Sequence, residues 1–286
     1  MLYTILPLIA FLSSRVEAHG VVTKIIAGTK TYDGYQPGKF PYMPTPPAVA
    51  GWSTPQLQDL GPINSDKVGD PDIICHRNAT PGQAVAEVAA GDKVSLQWQP
   101  WPNSHKGPML DYLADCGDDC TKVDKTQLKF FKIDGVGITN TKGTPPNFAD
   151  DDMIKANNTW TVTIPASIKP GNYVLRHETI ALHQAQAAGG AQMYPQCVNL
   201  KITGTGTESP TGVPGVELYK VNDPGLVFNI YKQFKANSDY TVPGPAMFSG
   251  AAAADGSPAP PAKRAADPVS EASPDLDRRH SRAFPI

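Results

Sequence analysis

Lys93-Val94-Ser95-Leu96-Gln97-Trp98 alternates polar and apolar side chains, and Thr159-Trp160-Thr161-Val162-Thr163-Ile164 repeats the pattern. Successive side chains of a strand point to opposite faces, so these runs are predicted to bury Val94, Leu96 and Trp98, and Trp160, Val162 and Ile164, leaving their polar neighbours to solvent. Val198, Leu200 and Ile202 carry the same period; Tyr173 to Ile180 reads as a further strand, and Gln127 to Ile133 as a more fully buried one. No stretch longer than two turns has a helical period, which leaves short helices to loops such as those between 50 and 70 or 107 and 118. Prolines and glycines, 29 and 25 of them, punctuate these short runs. The predicted fold is therefore all-β, an antiparallel immunoglobulin-like β-sandwich with long loops and short helices, formed by residues 19–249 as one domain.

The two ends read differently. Leu2 to Leu12 is an apolar run followed by Ser13-Ser14 and then Val16-Glu17-Ala18, with small residues where a signal peptidase needs them. Residues 1–18 are thus predicted to be a signal peptide, too short for a membrane span of about 20 apolar residues. The expected product is secreted and extracellular and begins at His19. Beyond Ser249 the composition turns to Ala, Pro, Ser and scattered charge, so residues 250–286 are expected to form a disordered tail without a core of their own.

A net charge of −2 gives no basic patch for nucleic acid or for an anionic membrane, and neither partner is expected. Four cysteines in an oxidising compartment imply two disulfides with three formal pairings. Cys116 with Cys120, across a tight Gly-Asp-Asp turn, and Cys75 with Cys197, across distant segments, is the pairing favoured here. No C-x-x-C pair supports a zinc site. Asn78-Ala79-Thr80 and Asn157-Asn158-Thr159 are sequons, making Asn78 and Asn157 candidate glycosylation sites on exposed loops.

Cleavage before His19 would give that residue a free α-amine beside its imidazole, and the two nitrogens can chelate one metal ion. His105 follows in Trp101-Pro102-Asn103-Ser104-His105-Lys106-Gly107-Pro108, a loop shaped by two prolines and a glycine directly after the 93–98 strand. Taken alone, His105 also fits an ordinary surface histidine. Two imidazoles and an amine make a three-nitrogen set of the kind Cu(II) favours. Gln192 and Tyr194 share one face of an extended segment with Met193 on the other, which offers a tyrosine hydroxyl and an amide to the same site. The run from Arg176 to His183 imitates the zinc-protease pattern H-E-x-x-H but has Ala181 where the second histidine belongs. Asp150-Asp151-Asp152 reads as a solvated turn, and no carboxylate pair suggests hydrolysis.

The post-signal His19-Gly20, the Trp-Pro-x-Ser-His-x-Gly-Pro loop, Leu-Arg-His-Glu-x-Ile-Ala-Leu-His, Gln-x-Tyr-Pro-x-Cys, Asp223-Pro224-Gly225 and Tyr240-Thr241-Val242-Pro243-Gly244-Pro245 occur in that order. Together they make the chain resemble the fungal lytic polysaccharide monooxygenases of auxiliary activity family nine, formerly classed as glycoside hydrolases, over essentially all of residues 19–249. The resemblance implies one copper ion per chain, held by the His19 amine and Nδ1 and by His105 Nε2, with Tyr194 axial and His183 and Gln192 around it. The cysteine pairing it implies agrees with the one above. It further implies an external electron donor, hydrogen peroxide or dioxygen as co-substrate, and hydrogen abstraction at C1 or C4 of cellulose or a related β-1,4-glucan. Such a polymer presents a flat face of sugar rings, for which Tyr32, Tyr35 and Tyr240 are the candidates, with Tyr231 ranked behind them. A monomer is expected. Non-catalytic carbohydrate binding or copper binding on the same scaffold is the other reading.

Overall fold

Val94, Leu96 and Trp98 are buried while Lys93, Ser95 and Gln97 are not, the alternation their sequence demands. The computed structural model describes residues 20–54 and 60–251. The expected signal peptide, His19 and all but the first two residues of the expected tail lie outside the described residues. In chain order the strands are β1 (Val22–Ala27), β2 (Lys30–Asp33), β3 (Ile63–Asn64), β4 (Ala86–Ala89), β5 (Lys93–Trp98), β6 (Met109–Asp115), β7 (Lys129–Val136), β8 (Ile138–Asn140), β9 (Asn147–Phe148), β10 (Thr159–Thr163), β11 (Gly171–Ala181), β12 (Gln192–Thr203) and β13 (Val213–Pro214). The α-helices are α1 (Asp72–Cys75) and α2 (Ala149–Lys155).

A smaller sheet runs β10-β5-β1-β2 and a larger one β13-β7-β6-β11-β12-β3, with β4 added parallel to β12. Every other pairing is antiparallel, so the chain is an antiparallel β-sandwich. Ile25, Val94, Leu96 and Val162 of the small sheet pack against Leu113, Leu175 and Leu200 of the large one. A second core lies on the other face of the large sheet, where Leu110, Tyr112, Val174, Ile180 and Met193 meet Ile73, Ile74, Phe148 and Leu226.

Burial on both faces explains where the strand pattern was illegible. A strand covered on both sides loses its polar alternation, and β6 is buried from Met109 to Ala114. The expected loop between 107 and 118 is therefore largely a central strand. In the 50–70 loop a 3₁₀ turn forms at Ser65–Lys67, and α1 and α2 form outside these two loops.

Disulfides join Cys75 to Cys197, fastening α1 to β12, and Cys116 to Cys120 just after β6. Asn78 and Asn157 are exposed, both with positive φ, 52° and 58°. Towards the C-terminal end the Phe248 N–H donates to the Lys132 carbonyl at 2.8 Å, and Ala251 is buried. Among the described residues no helix is long and apolar enough to cross a membrane.

Candidate metal centre

Four segments meet at one end of the large sheet because of strand register. β6 pairs with β11 and β11 with β12, aligning Met109 with Thr179, Thr179 with Tyr194, and Ala181 with Gln192. The loop that precedes β6 carries His105, and the chain leaving β11 reaches His183 two residues later. The period-two reading of 192–194 is realised: Met193 enters the outer core and Tyr194 the core between the sheets.

The His105 loop is fixed by hydrogen bonds at each step. Gln99 N donates to Val21 O at 3.0 Å, Trp101 N to Asn158 Oδ1 at 2.9 Å, and His105 N to Pro102 O at 3.0 Å. The backbone of Gly107 lies so close to Ile180 O that a Cβ would fall on the carbonyl. Ser104 Oγ is 3.1 Å from His105 Nδ1. If Oγ accepts from Nδ1–H, that tautomer leaves the imidazole lone pair on Nε2.

The rings form a cluster. His105 lies 4.4 Å from His183, 5.7 Å from Trp101 and 6.4 Å from Tyr194, centroid to centroid, and the edge of Trp101 meets Tyr194 at 5.0 Å. Tyr194 O–H donates to Gln192 Oε1 at 3.1 Å. Burial pushes the Tyr194 pKa well above its ordinary value against the opposing charge of Arg77. Burial also lowers the His183 pKa, favouring a neutral ring, and its Nδ1 is buried with no hydrogen-bond partner among the described residues. Gly20 is packed so tightly that a Cβ would sit 3.3 Å from both Trp98 and Trp101. The residue that follows His19 in the chain is thus against the same indole that touches His105 and Tyr194.

The candidate sugar-facing tyrosines differ in exposure. Tyr240 is 5% exposed, meets Phe148 and Phe228 edge-on and donates its hydroxyl proton to Gly225 O, so it is core and offers no ring to a polymer. Tyr32 is half-buried against the inter-sheet core, with its hydroxyl accepting from Glu87 N. Tyr35 is half-buried and edge-on to Phe40. Among the described residues the exposed rings are Tyr42, 76% accessible, and Tyr231, 51% accessible, whose hydroxyl donates to His183 O at 3.2 Å. Tyr42 lies in a 3₁₀ turn, Phe40–Tyr42, that buries Phe40 and leaves Tyr42 exposed.

Asp150 is a further correction. It opens α2 instead of lying in a solvated turn, and only 1% of it is exposed.

Among the described residues no three His, Cys, Asp or Glu side chains converge on one point. The metal-capable donors gathered here are the His105 imidazole and the Tyr194 hydroxyl, with His183 and Gln192 beside them. Nitrogen ligation suits copper, and a further pair of nitrogens from the residue preceding Gly20 would complete a set of that type. The residues present fit copper on this chemistry.

The model of Auxiliary Activity family 9 (formerly GH61) matches residues 19–240. An AA9 family lytic polysaccharide monooxygenase A from Malbranchea cinnamomea is 54% identical over 239 residues, 84% of this chain and 70% of that protein. One from Thermoascus aurantiacus is 52% identical over 232 residues, 81% of this chain and all of that protein. Among solved structures, the extended catalytic domain of H. jecorina LPMO9A superposes with a TM-score of 0.77 at 47% identity, covering 85% of this chain and 97% of that one.

Proposed function

The chain belongs to Auxiliary Activity family 9, the copper-dependent lytic polysaccharide monooxygenases, and from that premise we propose a secreted enzyme that cleaves β-1,4-glucan, cellulose foremost, by oxidation at C1, C4 or both. The observation that carries this reading is the gathering of His105, His183, Gln192 and Tyr194 at the sheet end where Gly20 is packed.

In this proposal the His19 amine and Nδ1, with His105 Nε2, would hold the copper, and the Tyr194 hydroxyl would lie beside it as a weak oxygen donor. Bound there, copper supplies one-electron chemistry that uses an external donor and hydrogen peroxide or dioxygen. The side chains do the rest. Because burial raises its pKa, Tyr194 remains a neutral phenol and a weak oxygen donor; its proton is committed to Gln192 Oε1. Gln192 keeps its amide N–H groups, and a neutral His183 keeps one ring N–H, as hydrogen-bond donors toward the co-substrate. Trp101, edge-on to both Tyr194 and His105, keeps water from the inner side of the site. Tyr231 and Tyr42 offer flat rings to the sugar face.

The test is incubation of copper-loaded protein beginning at His19 with cellulose and ascorbate, followed by mass spectrometry for aldonic and C4-oxidised oligosaccharides. Oxidised products are expected. Their absence on cellulose, xyloglucan and glucomannan alike overturns the proposal.

A further inference from the structure

Asp150 costs the fold something. Its carboxyl is buried, Oδ2 receives the Trp101 indole N–H at 3.2 Å, the Gly107 backbone N–H also bears on the carboxyl, and Oδ1 has no hydrogen-bond partner among the described residues. A buried, incompletely satisfied polar group is destabilising, and packing alone would be served by an apolar residue.

What it touches explains its presence. The same Trp101 N–H also points at His105 O, 3.3 Å away, so one donor is shared between the loop's own carbonyl and the carboxyl of α2. Two long bonds from one hydrogen are weaker than one short bond, and the position of the indole depends on both acceptors. Asp150 N donates to Gly107 O at 3.3 Å, and Lys106 Nζ pairs with Asp151 Oδ1. Residues 150 and 151 therefore grip the loop at Trp101, Lys106 and Gly107, on either side of His105. The Trp101 ring transmits any shift, since its edge meets Tyr194 at 5.0 Å and its centroid is 5.7 Å from His105.

We propose that Asp150 is a positioning residue for the metal site: by sharing the Trp101 N–H with the His105 carbonyl, it fixes the loop that presents the His105 ring and the indole that backs Tyr194. The role rests on His105 being a ligand. Burial, the largest influence, raises the Asp150 pKa to about 8, so below that pH the group is a neutral acceptor that adds no charge beside the metal.

The test compares Asp150→Ala, Asp150→Asn, Trp101→Phe and His105→Ala. In metal-free protein, the Trp101 indole N–H resonance should move and exchange faster with solvent in Asp150→Ala. With copper, the same variant should show altered hyperfine splitting in its electron paramagnetic resonance spectrum and about 10-fold weaker affinity by calorimetry, the loss typical of a disturbed outer partner. Asp150→Asn, whose amide oxygen accepts the same bond, should restore both. A folded Asp150→Ala protein with wild-type spectrum and affinity overturns the proposal, as does an Asn variant that behaves like Ala. Should Asp150→Ala not fold, Trp101→Phe removes the shared donor instead, and a wild-type copper spectrum there is equally fatal. If His105→Ala binds copper as tightly as wild type, the ligand assignment fails and this role with it. If His105→Ala loses copper while Asp150→Ala is silent, only the positioning role falls.

Discussion

The middle of β11 and its open end treat buried polar groups in opposite ways. In the middle, Arg176 makes a bidentate pair with Glu178 at 2.8 and 2.9 Å and donates to Ile73 O and Ile74 O at 2.8 and 2.9 Å. Tyr219 O–H closes on Glu178, and the Tyr112 and Tyr219 hydroxyls lie 2.9 Å apart. On the other face Trp98 N–H donates to His177 Nε2 at 2.9 Å, and His177 Nδ1 and Trp160 Nε1 both meet Asp111, at 2.8 and 2.9 Å. At the open end, by contrast, His183 Nδ1 and Asp150 Oδ1 are buried without hydrogen-bond partners among the described residues. Fully satisfied networks make a core rigid and unique, whereas local violations concentrate where chemistry is done. One strand thus supplies scaffold in its middle and, in the proposed function, borders the metal site at its end.

The largest effect that tests this contrast is Glu178→Ala, which strands Arg176 in the core without its counter-charge. It should cost about 3–5 kcal/mol of stability, read from urea unfolding, with copper affinity preserved in the fraction that folds. A loss below about 1 kcal/mol, the range of an exposed pair, would mean the network is not the scaffold described. His105→Ala should invert the pattern. Copper affinity should fall at least about 100-fold, or about 2.8 kcal/mol at 1.4 kcal/mol per tenfold, while stability stays close to wild type. Undiminished calorimetric affinity would remove His105 from the ligand set.

How much of this could be read from residues follows the same division. β5 and β10 were legible because one face is wet, so Lys93 and Thr161 mark it. β6 was not, because both of its faces are dry and no polar residue reports the period. Gln192 and Tyr194 were legible as a pair because strand alternation is local, and Pro102, Gly107 and Pro108 placed His105 on a shaped loop, while its role as a ligand came only with the family resemblance. Asp150 was misread because three consecutive aspartates average to a solvated turn. Only a tertiary partner, the Trp101 indole, makes the first of them a core residue. Tyr240 failed for a related reason: Asp239 and Thr241 are exposed on either side of it, while Phe148, Phe228 and the Gly225 carbonyl, all distant in sequence, bury its ring.

Asp150 also predicts how metal-free stability should change with pH. Its pKa is raised to about 8 from the ordinary 3.8, so between those values the folded chain keeps a proton that the unfolded chain has released. The Asp150 contribution to stability is greatest below about pH 4 and falls as pH rises toward 8, by at most about 1.4 kcal/mol per pH unit. Lys132 does not mask the trend: burial lowers its pKa to about 8, so its contribution changes above that pH and with the opposite sign. Asp150→Asn should flatten the decline in urea midpoints across this window. An unchanged slope would place the proton elsewhere.

The smallest expected effect is at the outer surface of the open end. Tyr231 is half-exposed and its hydroxyl donates to His183 O, an acceptor that also receives Gln186 Nε2 at 3.3 Å. Removing the ring therefore leaves that carbonyl satisfied and the metal donors in place. Tyr231→Ala should weaken adsorption to cellulose by about 0.5–1.5 kcal/mol, the scale of one aromatic contact beyond its buried area, and leave copper affinity alone. Paired depletion isotherms and calorimetry separate the two quantities. If copper affinity falls along with adsorption, Tyr231 belongs with the groups that hold the site together and not with those that present it to a polymer.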